Sequence, residues 1–273
     1  MPVDSQVPPD GDHAMPLHGR VALVTGAARG LGRQLAGALA LAGADVAVTA
    51  RDEQALQGTV GEIRSEGRRT LPLALDLRDR GSIGPVVDAV VAAMGRIDVL
   101  ICNSGVSGPS QRADLVLQEA WDETMAVNLT GTFACASAVA RRMVAARRGV
   151  ILFVGSMTGK RPLLHRAPYA ASKMALVGLC RTMAIDLGPE GVRVNVLSPG
   201  FVEGARLEWV VTAQAEAQGR PVEEVRRELV ASSPLRRLTS PADVARTAVF
   251  LASDAAAGIT GEDVNVSSGL VMY

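Results

Sequence analysis

Residues 21–32, VALVTGAARGLG, decide the fold of this chain. The first five residues, VALVT, predict a short buried strand, and glycines follow at positions 26, 30 and 32. Glycine allows a tight turn, and the helix predicted over residues 30–42 presents its N-terminal amides there, where they can bind a phosphate group. The Gly-x3-Gly-x-Gly spacing differs from the GxGxxG fingerprint. A purely structural strand-to-helix turn is therefore the alternative interpretation.

The alternation of apolar strands and amphipathic helices continues to the C-terminus. Further strands are predicted over residues 45–50, 70–77, 97–102, 150–154, 193–197 and 262–266. Helices are predicted over residues 53–66, 82–94, 118–147 (broken near 128–131), 169–187, 203–231 (broken at 219–221) and 241–252. Such alternation produces parallel βαβ units. We expect one doubly wound α/β domain over residues 19–273, preceded by a flexible tail, 1–18, in which Met15 is an alternative start.

Composition narrows the classes of function. Lys plus Arg and Asp plus Glu both number 28, so the basic excess that nucleic acids and anionic membranes require is missing. No apolar run approaches the ~20 residues of a membrane-spanning helix. Cys102, Cys135 and Cys180 fit no zinc or CxxC pattern, and the three histidines are scattered. We therefore expect a cytoplasmic protein with buried thiols, without a protein-built metal site, and without a nucleic-acid or membrane partner.

Polar and glycine residues at the predicted strand ends indicate a dinucleotide. The second strand ends in Ala50-Arg51, where an acidic residue would bind the ribose hydroxyls of NAD. Arg51, with Arg29 in the glycine turn, predicts a preference for NADP(H), although NAD(H) is also expected to bind. Alternatively, Arg51 simply lies on the solvated rim. The residues expected to bind the cofactor are Gly26, Arg29, Gly30, Leu31, Gly32, Arg51, Asp76, Leu77, Asn103 and Gly105.

A tyrosine and a lysine on one predicted helix suggest proton transfer. Tyr169 and Lys173, in YAASK, are four residues apart and therefore share a helix face. A lysine cation favours the phenolate, and a lowered pKa makes a phenol useful as an acid or base. Ser156 follows the fifth strand, and Asn128 lies at the predicted helix break. The pentapeptide alone is also compatible with chance or surface pairing.

Taken together, TGAARGLG, the Asn103-Ser-Gly turn, Asn128, Ser156 and YAASK resemble the short-chain dehydrogenase/reductase family from about Leu17 to the C-terminus. The resemblance implies a Rossmann-type domain of about seven parallel strands and a homodimer or homotetramer. It also implies catalysis by Ser156, Tyr169 and Lys173, with Asn128 holding a water in a proton relay. Lys173 and Tyr169 are further implied to contact the cofactor, as are Pro199, Gly200 and Val202 beside the nicotinamide. The chain departs from the family at Cys102, Gly155, 203–204 and 265–269.

Two segments are expected to border the substrate. The loop 157–168 carries four basic residues, Lys160, Arg161, His165 and Arg166. They are compatible with binding of an acidic substrate. The alternative is that the loop is solvated or lies between subunits. By resemblance, residues 203–233 form a mobile lid; plain packing is the alternative. We expect interconversion of a small-molecule ketone and a secondary alcohol. A non-catalytic nucleotide sensor, or an epimerase or dehydratase on the same scaffold, are the competing interpretations.

Overall fold

The computed structural model describes residues 15–273. The strands are β1 (Val21–Thr25), β2 (Asp45–Ala50), β3 (Thr70–Ala74), β4 (Val99–Cys102), β5 (Gly149–Val154), β6 (Val192–Pro199) and β7 (Asp263–Val266). The α-helices are α1 (Gly30–Leu41), α2 (Gln57–Ser65), α3 (Arg80–Met94), α4 (Gln118–Met125), α5 (Thr132–Ala146), α6 (Ala167–Leu187), α7 (Ala205–Gln218), α8 (Val222–Ser232) and α9 (Pro241–Ala252). None of these helices has the length and hydrophobicity needed to span a membrane.

The seven strands form one parallel sheet in the order β3-β2-β1-β4-β5-β6-β7. The order reverses between β1 and β4, which are direct neighbours with Val24 opposite Ile101. Ligands of doubly wound sheets bind outside the carboxyl ends of the strands at such a switch point. The predicted fold class, a doubly wound Rossmann-type sheet with helices on both faces, is confirmed.

Alternate residues of each strand pack on opposite sides of the sheet, as the strand period requires. In β1, Val21 and Leu23 belong to the core under α3, α5 and α6, whereas Ala22 and Val24 belong to the core under α1, α2 and α9. A third, smaller cluster joins α7 and α8 to the loop after β5 and to the C-terminus, through Met157, Phe201, Leu207, Val211, Val225 and Val271. This cluster attaches the segment predicted as a lid.

Some boundaries of strands and helices differ from the predicted ones. β3 ends at Ala74 rather than 77, because its neighbour β2 ends at Ala50, opposite Ala74. The predicted break in the long helix is a π-helical segment over Ala126–Gly131. A Cβ atom on Gly131 would lie 2.3 Å from the carbonyl oxygen of Leu77, so the glycine permits this close packing.

The N-terminal boundary of the domain lies earlier than predicted. Residues 1–14 of the predicted tail lie outside the described residues. Leu17, however, is fully buried, and its amide donates a 2.9 Å hydrogen bond to the carbonyl of Ala42. The prediction of a flexible segment is therefore wrong for its last residues, because the apolar Leu17 side chain completes the core beside α1.

The three cysteines are free and buried, as predicted. Burial raises the pKa of the Cys180 thiol to about 12, which keeps it un-ionised near neutral pH.

Candidate active site

The four predicted catalytic residues lie close together at the carboxyl edge of the sheet. Tyr169 and Lys173 occupy the first turns of α6, Ser156 follows β5, and Asn128 lies in the π-helical segment. A Cβ atom on Gly105, in the loop after β4, would lie 3.2 Å from Asn128 Oδ1 and 3.5 Å from Lys173 Nζ. The sheet thus brings together residues separated by up to 68 positions in the sequence.

The Tyr169 phenol is buried among cationic groups. Burial alone would raise its pKa, but the charges of Lys173 and Arg206 and the nearby Ser156 hydroxyl outweigh burial, so the pKa of Tyr169 lies below its ordinary value. The charge of Arg166 acts in the same direction. A phenol with a lowered pKa can both donate and accept a proton near neutral pH.

Lys173 is held by the end of β5. Its Nζ donates a 2.7 Å hydrogen bond to the carbonyl oxygen of Val154, and the residue is 4% exposed. Burial lowers the pKa of Lys173, and interaction with Tyr169 partly opposes this effect. An ammonium group has three N–H donors, and this hydrogen bond uses one of them. Donors therefore remain for a neighbouring ligand.

Asn128 holds the loop after β4 against α6. Its Oδ1 accepts a 2.8 Å hydrogen bond from the amide of Val106, and its Nδ2 donates to the Val106 carbonyl and to Ser172 Oγ, each at 3.0 Å. Both amide protons are therefore used within the protein. Sequence reasoning did not identify Ser172, although it lies inside the YAASK motif, because no charge or spacing marks it.

The glycine turn is built for close backbone approach. Gly26 has φ +68°, and a Cβ atom on Gly32 would lie 2.2 Å from the Gly26 carbonyl oxygen and 2.5 Å from Asn103 Nδ2. Asn103 Nδ2 donates to the carbonyls of Thr25 and Gly26 at 3.0 Å, and Thr25 Oγ1 accepts from the amide of Asn103. Asn103 thus braces the turn, together with Thr25, which sequence reasoning missed.

The N-terminus of α1 fits a phosphate group. No side chain caps the helix at Arg29, so the amides of Gly30, Leu31 and Gly32 keep their donors for another acceptor. An added Cβ atom on Gly30 would meet nothing within 4 Å, which shows that the space in front of this turn is open. The described residues therefore fit a dinucleotide at the β1–β4 switch point.

The residues expected at the adenosine end lie at the rim. Arg29 and Arg51 are exposed and form no ion pair with another described residue. Asp76 does have a partner: Arg78 Nε contacts both of its carboxylate oxygens at 3.0 Å and lowers the pKa of Asp76. Sequence reasoning missed this pair. Leu77 is buried beside it.

The residues expected beside the nicotinamide follow β6. Pro199 is buried at the end of that strand, and Gly200 lies against Ser267, whose Cα would be 2.7 Å from a Cβ atom at position 200. Val202 pairs with Thr239 in an isolated parallel bridge. The chain therefore leaves the sheet here in a fixed direction toward α7.

Three of the four basic residues of the loop 157–168 lie in clearly different environments. Lys160 pairs with Asp263 at 2.7 Å and also contacts Asn265, and Arg161 is exposed. Arg166 is 3% exposed and lies beside Tyr169. Of the two interpretations of this loop, an acidic substrate therefore has no support from Lys160, because Asp263 of β7 neutralises its charge.

From the other side, α7 contacts the site. Arg206, at its first turn, donates a 2.8 Å hydrogen bond to the carbonyl of Gly105. Gln214, on the same helix, donates to the carbonyl of Leu164 in the loop before α6. The helix is thus bridged to both loops that border the catalytic residues.

Comparison with known proteins agrees with this geometry. A family model described as enoyl-(acyl carrier protein) reductase matches residues 26–271. The chain belongs to the short-chain dehydrogenase/reductase family. Among its relatives, cyclohexanol dehydrogenase of Rhodococcus sp. (strain TK6) is 39% identical, with 94% of this chain and 97% of the relative covered. The 3-oxoacyl-(acyl-carrier-protein) reductase of Escherichia coli (strain K12) is 34% identical over 94% of this chain and all of the relative.

A solved member of similar structure is NAD+-bound xylitol dehydrogenase, with a TM-score of 0.90 and 29% identity. The match covers 93% of this chain and 99% of that structure. These short-chain dehydrogenases and reductases act on CH–OH or carbonyl groups, and the present chain is an oxidoreductase of the same family. The resemblance inferred from the motifs is thereby confirmed.

Proposed function

We propose that this short-chain dehydrogenase/reductase interconverts a small ketone and its secondary alcohol, with Tyr169 as the proton-transfer residue and NADP(H) as the preferred cofactor. One observation carries the proposal: the buried ring of Tyr169 has Lys173 Nζ 5.8 Å and the Arg166 guanidinium carbon 4.8 Å from its centre, and these cations, together with Arg206, lower the pKa of the phenol. A packing tyrosine needs no such surroundings, whereas an acid–base catalyst does.

Each side chain has a role in the reduction. Ser156 donates a hydrogen bond to the carbonyl oxygen and stabilises the negative charge that develops there. Tyr169 then delivers its proton to that oxygen, and Lys173 stabilises the resulting phenolate. A nicotinamide, when bound beside these residues, would supply the hydride for reduction and accept it in oxidation. Asn128 holds the loop after β4 against α6. The π-helical segment around it offers backbone groups that can hold the water of the proton relay.

The residues that would hold the cofactor are those of the glycine turn, the strand ends and α6. Lys173 has N–H donors left for the nicotinamide ribose, as described above, and Pro199, Gly200 and Val202 would border the nicotinamide ring. Leu31 lies at the turn, and Gly105 lies between the turn and Lys173. This set comprises Gly26, Arg29, Gly30, Leu31, Gly32, Arg51, Asp76, Leu77, Asn103, Gly105, Tyr169, Lys173, Pro199, Gly200 and Val202.

The NADP(H) preference rests on the end of β2. Arg51 stands where NAD-specific folds have an acidic residue, and the next carboxylate, Asp52, accepts a 2.9 Å hydrogen bond from the amide of Gln54 and caps a 3-10 turn. Arg29 adds a second exposed cation. Two exposed cations, beside a carboxylate that already caps a turn, favour a 2′-phosphate over free ribose hydroxyls.

We further propose a small-molecule substrate, a homodimeric or homotetrameric assembly and a cytoplasmic location, where the buried thiols stay reduced. A non-catalytic sensor on the same fold is disfavoured because serine, tyrosine and lysine are all present and clustered. An epimerase or dehydratase would form product without net turnover of the cofactor.

The test is a panel of ketones and secondary alcohols with NADPH, NADH and their oxidised forms, followed at 340 nm. Turnover of at least one pair, faster with the phosphorylated cofactor, supports the proposal. Tight cofactor binding without turnover of any member would favour the sensor. Product formation without a change at 340 nm would favour the epimerase or dehydratase.

A further inference from the structure

Arg166 is a buried cation beside the ring of Tyr169. It lies directly before α6, is 3% exposed, and its guanidinium carbon is 4.8 Å from the ring centre of Tyr169 and 4.9 Å from that of Trp209. Its Nε and Nη1 atoms are buried, and neither has a hydrogen-bond partner among the described residues. No carboxylate of the described residues forms a salt bridge with it.

Such an environment is costly for a guanidinium, which stays protonated in proteins and offers five N–H donors. Contact with two aromatic faces offsets part of the lost hydration but satisfies none of the donors. Lys160, in the same loop, shows the usual solution for a buried cation: it pairs with Asp263 at 2.7 Å. Among the described residues, one buried cation of this loop is thus neutralised, and the one beside Tyr169 has no ion-pair partner.

We propose that Arg166 recognises a carboxylate on the substrate, which is therefore a short oxo acid or hydroxy acid. This inference rests on the proposed function, because it places the carboxylate a few bonds from the carbon whose oxygen Tyr169 serves. A carboxylate is planar and accepts parallel hydrogen bonds from a guanidinium, so it satisfies the unpartnered donors and the charge together.

Trp209 supplies the second aromatic ring that lies against the guanidinium. It belongs to α7, and it is 42% exposed although its ring contacts Arg166. A carboxylate that enters between α6 and α7 displaces this indole. Arg206, on the same helix, adds a second positive charge: burial lowers the pKa of Arg166, and repulsion from Arg206 acts in the same direction. An anion relieves that repulsion.

The test measures binding and does not depend on turnover. The chain has two tryptophans, so the Trp121→Phe variant reports on Trp209 alone by fluorescence. Cofactor-loaded protein is titrated with propanoate, butanoate and pentanoate, each against its own neutral amide. We expect at least one acid to bind about tenfold or more tighter than its amide, as hydrogen bonds to a charged partner provide. Equal affinities in all three pairs would overturn the proposal.

Variants test whether Arg166 causes the preference for the acid over the amide. Arg166→Met should abolish the acid–amide ratio, Arg166→Lys should retain part of it, and Arg161→Met, an exposed arginine of the same loop, should leave it unchanged. Retention of the full ratio in Arg166→Met would also overturn the proposal. If that variant fails to fold, as judged by circular dichroism, the wild-type ratios and Arg166→Lys decide.

The two proposals can fail separately. Turnover of neutral ketones with no acid–amide discrimination would contradict carboxylate recognition and leave the proposed oxidoreduction intact. If Arg166 discriminates acids from amides but no oxo acid or ketone is turned over, the proposed reaction is contradicted and the proposed carboxylate site still stands.

Discussion

Asn128 Nδ2 donates a 3.0 Å hydrogen bond to Ser172 Oγ, and this contact joins the π-helical segment to α6 between Tyr169 and Lys173. Ser172 Oγ in turn donates to the carbonyl of Tyr169 at 2.9 Å. The position of α6 relative to the loop after β4 is therefore fixed by a chain of buried hydrogen bonds.

Removal of the Ser172 hydroxyl should destabilise the protein. In Ser172→Ala, one N–H of the buried Asn128 amide loses its partner, which costs about 1–3 kcal/mol of the free energy of unfolding. Urea denaturation followed by circular dichroism measures the change. Ser137→Ala, on α5, removes only a 3.4 Å contact with Arg141 and serves as the control. Equal stability of the two variants would show that the contact with Asn128 is dispensable.

Replacement of the phenol should abolish most turnover. Tyr169→Phe keeps the ring and its packing but removes the transferable proton, so kcat should fall by about 10²–10⁴-fold, while the Kd of the cofactor stays within twofold or so. Tyr273→Phe, at the exposed C-terminal residue, is the matched control because these are the two tyrosines of the chain. Full activity of Tyr169→Phe would contradict the mechanism.

The pH profile should follow Tyr169. The groups that act on it are Lys173, Arg206, Arg166 and Ser156, and the net effect lowers its pKa despite burial. Oxidation needs the phenolate, so its rate should rise with pH through a pKa below the ordinary value; reduction needs the phenol, and its rate should fall over the same range. Arg206→Met removes a cation that favours the phenolate and should move both limbs to higher pH.

The control for this shift is Arg227→Met, an exposed cation on α8 that does not contribute to the Tyr169 pKa. Profiles of kcat/KM should be measured in both directions at constant ionic strength. An unchanged profile in Arg206→Met, with normal folding, would show that this residue does not act on Tyr169.

Cofactor preference should depend on Arg51. Arg51→Asp replaces a cation by a carboxylate at the end of β2, so kcat/KM for NADPH should fall by about 10–100-fold, as expected for loss of a charged hydrogen bond, and that for NADH should rise. Arg64→Asp, an exposed arginine on α2, makes the same charge change away from the strand end. Equal effects of the two substitutions would show that Arg51 affects cofactor preference only through the overall charge of the protein.

The glycine turn should tolerate no side chain at position 32. In Gly32→Ala the new Cβ atom would lie 2.2 Å from the Gly26 carbonyl oxygen, so the turn must shift, and cofactor affinity should fall at least about tenfold. Gly37→Ala, later in α1, has only Glu62 Oε2 near the added atom, at 3.9 Å. That variant should bind cofactor normally and be more stable by up to about 1 kcal/mol, since alanine favours helix. Isothermal titration and thermal unfolding check both.

The sequence alone determined the α/β fold class and much of the local structure. Strand and helix periodicities are local properties, and so is helix capping: Pro241–Ala252 begins where Ser240 and Asp243 form a capping box. The motifs located Tyr169, Lys173, Ser156 and Asn128 because each follows a recognisable strand end or helix signal. The carboxyl ends of parallel strands share one edge, so their clustering followed from the fold class.

Only the tertiary structure decided which charges are neutralised. Lys160 and Arg166 are both basic residues of one loop, yet Lys160 pairs with Asp263, 103 residues later, and Arg166 lies against the rings of Tyr169 and Trp209. Burial, pairing and pKa depend on groups that the folded chain brings close from distant positions, and these distances are not encoded in local spacing. For the same reason the Asn128–Ser172 contact and the brace between Asn103 and Thr25 became visible only in three dimensions.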